Sequence, residues 1–400
     1  MEAKKIDGRA PSSFGSGGKA GRENTLRAQN DVSASNSGPV NQLLYRQNPN
    51  SNRSPATDHG LVPPLWYSFE LAHKRTQEGG WTHQVTEREL PSSKEIAAVQ
   101  MRITGGSYRE LHWHVADEWA YMLSGSARVT VFNPDGTMFI DDVEQGDVWL
   151  FPAGYPHSIQ GLGKDGCEFL LVFNQGSFSE ESTFLLSDWI AHTPPEILEK
   201  NFKLGPKSIE KLPDDSLYIF RGNPPNSLDS DLAEALNEGN KKGPRFTYKL
   251  RSMEPTKSTA MGEARILDSK NFPISKKIAA ALVIIKPGGL RELHWHPNAS
   301  EWQYYIQGSG RMTVFNSSEQ ARTMDFNGND VGFVPIVAGH CIENTGDTDL
   351  IFLEMFAASE FVDFSLNQWI RKLPKTIAMD HLGLSSEEID TIRPNKEVVL

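Results

Sequence analysis

The chain has only two cysteines in 400 residues, Cys167 and Cys341. Two residues so far apart make neither a disulfide framework nor a CxxC metal site, and they are compatible with a reducing compartment. Basic residues are in deficit, 40 against 51 acidic, for a formal net charge of −11. That balance argues against a nucleic-acid partner, because phosphate binding draws on a basic surface. Long apolar runs are missing. The longest, IAAALVII at Ile278–Ile285, stops at Lys286. It reads as a buried strand and falls well short of the roughly 20 residues a membrane helix needs. The opening MEAKKIDGRAPSSFGSGGKAG carries no apolar core of a secretory signal, so the expected location is the cytoplasm and no membrane partner is expected. Residues 1–60 are rich in Ser, Asn, Gly and Arg with little apolar periodicity, which predicts a disordered arm.

Beyond the arm, the chain repeats itself. RELHWH at Arg109–His114 returns at Arg291–His296. PSSKEIAA (Pro91–Ala98) is echoed by PISKKIAA (Pro273–Ala280), and EWAYMLSGSARVTVFN (Glu118–Asn133) by EWQYYIQGSGRMTVFN (Glu301–Asn316). GDVWLFPAGYPH (Gly146–His157) is echoed by NDVGFVPIVAGH (Asn329–His340). The offset is 182 through the histidines and 183 after them, where VADE becomes PNASE. A register held over such a length means a duplicated domain. Each copy is written in β-branched and aromatic runs such as ARVTVFN, punctuated by turns such as NPDG at Asn133–Gly136. Helical text is confined to the end of each copy. The expected architecture is all-β: two tandem jelly-roll barrels with short helical appendages, over residues 61–235 and 236–400.

Within a strand, residues i and i+2 share a face. His112 and His114 therefore project together, with Trp113 on the opposite side. Glu118 opens the next strand and can reach back. His157 follows a Pro/Gly turn that aims its ring inward. The second copy supplies His294, His296, Glu301 and His340 in the same order. Three imidazoles and a carboxylate leave two positions open on a six-coordinate ion, which suits Mn²⁺ or Fe²⁺ better than a four-coordinate Zn²⁺.

HWHVADEWAYMLSG with GDVWLFPAGYPH, and their partners in the second half, resemble the two cupin motifs. The second copy departs at Val337, which stands where the first has Gly154. That leaves the turn type there open, but not the ligand. Two intact cupins, with RELHWH in each, resemble the bicupin oxalate decarboxylases from about residue 55 to the C-terminus. TDHG (Thr57–Gly60), DWIAHTP (Asp188–Pro194) and SLNQW (Ser365–Trp369) extend the match. The resemblance implies cupin barrels of double-stranded β-helix type and two Mn²⁺ per chain. It implies conversion of oxalate to formate and CO₂ with dioxygen as a non-consumed co-substrate, and a homo-oligomer, trimer or hexamer. Some relatives are secreted or spore-associated.

The implied chemistry removes one electron and a proton from oxalate, releases CO₂, and returns an electron and a proton to the remaining fragment. Arg109 and its counterpart Arg291 are the expected cations against the substrate. FSEESTF, Phe178–Phe184, resembles the family's lid segment and places Glu180 on the catalytic acid. Thr183 is expected to hydrogen-bond to the lid or to Arg109. Glu181 stands where the family has asparagine, and a second carboxylate there could raise the acid's pKa, loosen the lid or exchange roles with Glu180. In the second copy Glu354, in FLEMF, replaces Leu171, and the resemblance makes it an acid beside the second metal. Glu360 lies nine residues before Trp369, as Glu180 does before Trp189, but its segment lacks the Ser-Thr partners. Decarboxylation is therefore assigned mainly to the N-terminal site. Trp113 and Trp295 read as packing residues, with an electron relay between subunits as the alternative. Competing functions are an oxalate oxidase on the same metal site, a storage-type bicupin and a dioxygenase of bulkier substrates. The retained ligands oppose the second, and Glu180 with the arginines opposes the third.

Overall fold

The computed structural model describes residues 26–28, 30–237 and 241–400. Strands dominate, and helices follow the last strand of each copy, at Leu186–Ala191 and Pro195–Phe202 and again at Leu366–Lys372 and Lys375–Leu382. The two expected barrels are present.

Alternation along Glu118–Phe132 shows how each barrel is filled. Ala120 and Met122 belong to the interior of the first barrel. Trp119 and Tyr121 point the other way, into an apolar cluster shared with Leu282, Trp302 and Leu353 of the second barrel. The period of two thus gives the first barrel two apolar faces, one for its own core and one for its twin. Gly125 (φ 73°) and Gly308 (φ 88°) turn the chain at matching places, and a Cβ on either would meet a backbone carbonyl at 2.0 and 2.6 Å.

Each barrel also borrows a strand from the segment ahead of the other. Trp66–Ser68 pairs with Asp330–Val334 of the second barrel, Trp66 opposite Gly332. Thr247–Tyr248 pairs with Val148–Phe151 of the first, Thr247 opposite Trp149. A linear division at residue 235 does not follow this crossing.

The disordered arm expected over residues 1–60 is corrected in its later part, while residues 1–25 and 29 lie outside the described residues. Gln42–Gln47 is a helix capped by Asn41, whose Oδ1 accepts from the Leu44 N–H. Asn50 is buried and its N–H donates to Asp325 Oδ2 at 2.9 Å. His59 bridges to Ala321. The arm's polar side chains and backbone find partners on the second barrel, which a composition rule based on apolar content cannot register.

Candidate metal centres

The strand Tyr108–Trp113 pairs antiparallel with His157–Gly161, and His112 stands directly opposite His157. The second copy places His294 opposite His340. In both, the register shifts between the arginine and the first histidine. This bulge lets Arg109 and His112, three residues apart, both turn inward, since it resets the alternation by one residue. Arg109, His112 and His114 are all at most 3% exposed, while Leu111 between them is 48% exposed.

The ligand atoms of His112, His114, Glu118 and His157 lie within 4.8 Å of one another, and so do those of His294, His296, Glu301 and His340. Opposite ligands of one ion at ordinary metal–nitrogen distance are about 4.2 Å apart, so a single cation serves each set with small shifts. All eight residues are buried.

Proton bookkeeping supports a cation. Every one of the six imidazoles has its Nδ1 on a backbone carbonyl: His112 on Glu110, His114 on Ala116, His157 on Tyr155, His294 on Glu292, His296 on Val362 and His340 on Ala338. A carbonyl only accepts, so each Nδ1 carries the proton and a neutral ring turns its Nε2 lone pair inward. His157 Nε2 and His294 Nε2 are buried with no hydrogen-bond partner among the described residues. His114 Nε2 lies 3.1 Å from Glu118 Oε2, and His296 Nε2 lies 2.9 Å from Glu301 Oε2. Two lone pairs so close repel unless a cation stands between them. Burial holds the His112, His157 and His294 imidazoles below their usual pKa. Burial pushes the Glu118 carboxyl up, and only positive charge on its ring-facing side offsets this and holds it well below the usual range. Neutral imidazoles around an ionised carboxylate are the protonation states a divalent ion requires.

The two centres differ behind the glutamate. Trp149 Nε1 donates to Glu118 Oε1 at 3.3 Å. In the second barrel Gln303 Nε2 donates to Glu301 Oε1 at 2.6 Å, and Tyr305 O–H donates to Gln303 Oε1. The exchange is compensated in volume. Gly332 occupies the place of Trp149, and a Cβ there would meet Gln303 Oε1 at 2.4 Å, while Ala120 occupies the place of Gln303.

Beside the first centre, Arg109 Nη2 donates to Glu180 Oε2 at 3.0 Å. Glu180 is buried at the start of a 3₁₀ turn, Glu180–Ser182, and its N–H donates to Gln84 Oε1. Phe178, at the start of the lid, packs edge-on to His114. The lid is thus folded over the site with the expected acid inside. Glu181 is exposed, because the turn directs it outward. The Thr183 expectation is corrected: its buried hydroxyl has no hydrogen-bond partner among the described residues, neither in the lid nor at Arg109.

Tyr218 went unnoticed in the sequence. Its O–H donates to Glu180 Oε2 at 2.7 Å, and its carbonyl accepts from Arg109 Nη1 at 3.4 Å. The guanidinium carbons of Arg75 and Arg109 lie 3.7 and 4.3 Å from its ring centroid. Its backbone is left-handed, φ 52°, a conformation that costs a side-chain-bearing residue roughly 1–2 kcal/mol. Glu110 holds it there by accepting the Tyr218 N–H at 2.6 Å. Val398 is its counterpart, with φ 70° and its N–H on Glu292. No motif marks a lone tyrosine with such a backbone.

In the second centre Arg291 Nε donates to Glu354 Oε1 at 3.0 Å and Nη2 donates to Asp363 Oδ2 at 3.2 Å. Asp363, not Glu360, is the partner of Glu180 in the fold. Glu360 is half-exposed and paired with Lys270. Phe178 and Phe361 pack on equivalent histidines, and Phe184 and Phe364 on equivalent tryptophans, so the first lid has three extra residues. The three residues are lost after the acid, so the offset of 183 carries Glu180 onto Asp363, whereas counting back from the tryptophan lands on Glu360.

Comparison with known proteins agrees with this geometry. The chain matches the Cupin family over residues 68–210 and again over 248–390. Oxalate decarboxylase of Bacillus subtilis is 50% identical over 362 residues, covering 90% of this chain and 93% of its own length. A probable oxalate decarboxylase of Arthroderma benhamiae is 39% identical over 368 residues, covering 91% of this chain and 90% of its own. A solved structure of the Bacillus subtilis enzyme, from a study of its Mn(II) centres, superposes with a TM-score of 0.88 at 49% identity, over 92% of this chain and 96% of that one. Two cupin domains in tandem, each with its own ring of three histidines and a glutamate, and relatives aligned over nine-tenths of their length lead to one assignment: the chain belongs to the bicupin oxalate decarboxylase family.

Proposed function

We propose that this chain converts oxalate to formate and CO₂ at its N-terminal centre, with Mn²⁺ held in each half and dioxygen as a co-substrate that is not consumed. Its relatives at 50% and 39% identity are named an oxalate decarboxylase and a probable oxalate decarboxylase, and the chain is a carboxy-lyase of that class. The overall change takes one proton and no net electrons: oxalate dianion plus a proton becomes formate and CO₂. The ligand set of His112, His114, Glu118 and His157, repeated as His294, His296, Glu301 and His340, suits Mn²⁺. A bound ion of that kind supplies a Lewis acid for a carboxylate and a one-electron couple.

The protein's own residues do the rest. Arg109, fixed by the Tyr218 carbonyl, presents a buried guanidinium to the dianion. Glu180 delivers the proton that becomes the formate C–H. Tyr218 O–H and Arg109 hold its carboxyl in place before the reaction. Closure of Phe178–Phe184 excludes water from the fragment left after CO₂ departs. Thr183 carries a spare hydroxyl within the lid. Arg291 and Glu354 occupy the second centre, which supports the first without the same lid. Exposed aromatics repeated in both halves, Phe184 and Trp189 and then Phe364 and Trp369, support assembly into a homo-oligomer.

The observation that carries the reading is the buried Arg109–Glu180 pair beside the first ligand set. Glu180→Ala tests it: formate production should fall at least 100-fold while two manganese ions per chain remain. Formate output at the parent level would remove Glu180 from the role.

A further inference from the structure

The two arginines sit in equivalent places, and their contacts can be compared donor by donor. Nη1 of Arg109 donates to the carbonyl of left-handed Tyr218, and Nη1 of Arg291 to that of left-handed Val398. Nη2 of Arg109 donates to Glu180, and Nη2 of Arg291 to Asp363. Only Nε differs. In the second barrel it donates to Glu354. In the first it is buried and has no hydrogen-bond partner among the described residues. The cause lies in one substitution of the repeat: Leu171 stands at the position of Glu354, and a hydrocarbon accepts nothing. A buried guanidinium N–H without an acceptor costs on the order of 1–3 kcal/mol, more for a charged donor. The first barrel carries that cost and the second does not.

We infer that Glu354 fills, from within the chain, the anion position that Leu171 leaves open in the first barrel, so that the Leu171/Glu354 difference decides which metal centre accepts a small carboxylate. The inference rests on the proposed oxalate chemistry and adds to it the reason that one barrel binds substrate. Arg291 faces two carboxyl groups, Glu354 and Asp363, both at most 2% exposed in their side chains. Lys396 closes over Asp363 from the outer side. An incoming dicarboxylate would have to displace Glu354 from Arg291 and leave that carboxyl buried without a partner. Arg109 imposes no such exchange. Its Nε is a buried donor left without an acceptor among the described residues. Glu354 is in this account a fixed occupant of the arginine and not a proton donor.

The experiment is a binding count on the Mn-loaded full chain under nitrogen, by equilibrium dialysis against radiolabelled oxalate. The parent protein should bind one oxalate per chain. Glu354→Leu, which copies the first barrel, should raise the count to two. Glu354→Gln preserves size and fold. It removes the charge and should give a second, weaker site at least 10-fold poorer than the first. Leu171→Glu should reduce the count towards zero with manganese content unchanged. Two oxalates on the parent chain, or one on folded Glu354→Leu and Glu354→Gln alike, overturns the inference and leaves the proposed function standing. No oxalate on the parent chain overturns the proposed function itself.

Discussion

At the residue scale, the site depends on a few side chains held in costly states. Tyr218 is one: a left-handed backbone and a buried phenol, both fixed by neighbouring carboxylates. Burial, with Glu180 beside it, pushes the phenol's pKa up, so it stays a donor across the working range. Tyr218→Phe removes one hydrogen bond to Glu180 and nothing from the ligand set. A fall in kcat of about 10-fold, some 1.4 kcal/mol of barrier, is expected in steady-state formate assays, with metal content unchanged. Val337 is a second case. The turn before His340 keeps the left-handed form of its twin, with φ 62° at Val337 against 78° at Gly154. Both N–H groups donate to the preceding histidine's carbonyl, Gly154 to His114 and Val337 to His296. The β-branched side chain therefore bears strain, and at 62% exposure it gains little packing in return. Val337→Gly should stabilise the protein by about 0.5–1 kcal/mol after the entropy of the added glycine, seen as a higher midpoint in urea.

At the scale of elements, the two lids are tied down differently. In the second half the lid carbonyl of Val362 accepts from His296 Nδ1, so the segment is part of the ligand's own support. In the first half His114 uses Ala116, in the turn, and the longer lid can lift without disturbing a ligand. Amides of Phe178–Phe184 should therefore exchange with deuterium at least 10-fold faster than those of residues 361–364, as followed by mass spectrometry. Equal protection would contradict a moving first lid. This is also the scale at which sequence reading stops. HxH, the glutamate and the distal histidine were legible because a strand's period of two and a repeated register leave few other meanings. The lid acid was legible by resemblance. Asp363 stands at the repeat offset of 183 from Glu180 but was missed, because counting the lid back from Trp369 crosses the three lost residues and lands on Glu360. The unused hydroxyl of Thr183 and the outward turn of Glu181 depend on one 3₁₀ turn that no pattern announces.

On the scale of the molecule, duplication gives two centres, and crossing segments join them. The borrowed strands Trp66–Ser68 and Thr247–Tyr248 and the apolar cluster shared through Trp119 and Trp302 make each barrel's stability depend on the other. None of this was visible in the sequence, where strands read only as consecutive runs. Because the ligands are preformed in the fold, metal should stabilise it by mass action, by about 2.7 kcal/mol per site at free metal 100-fold above Kd. Chelation should lower the thermal midpoint, and His157→Ala and His340→Ala should each lose one ion per chain. The exposed aromatics of both halves set a further expectation: Trp189→Asp with Trp369→Asp should shift the mass measured by light scattering towards that of one chain.

The most direct test of the account is a single incubation of the Mn-loaded protein with oxalate in air-saturated buffer, with formate, hydrogen peroxide and bound manganese measured together. Close to one formate per oxalate consumed, little peroxide and two manganese ions per chain is the predicted outcome. Peroxide in place of formate, or formate made with no manganese bound, would contradict it.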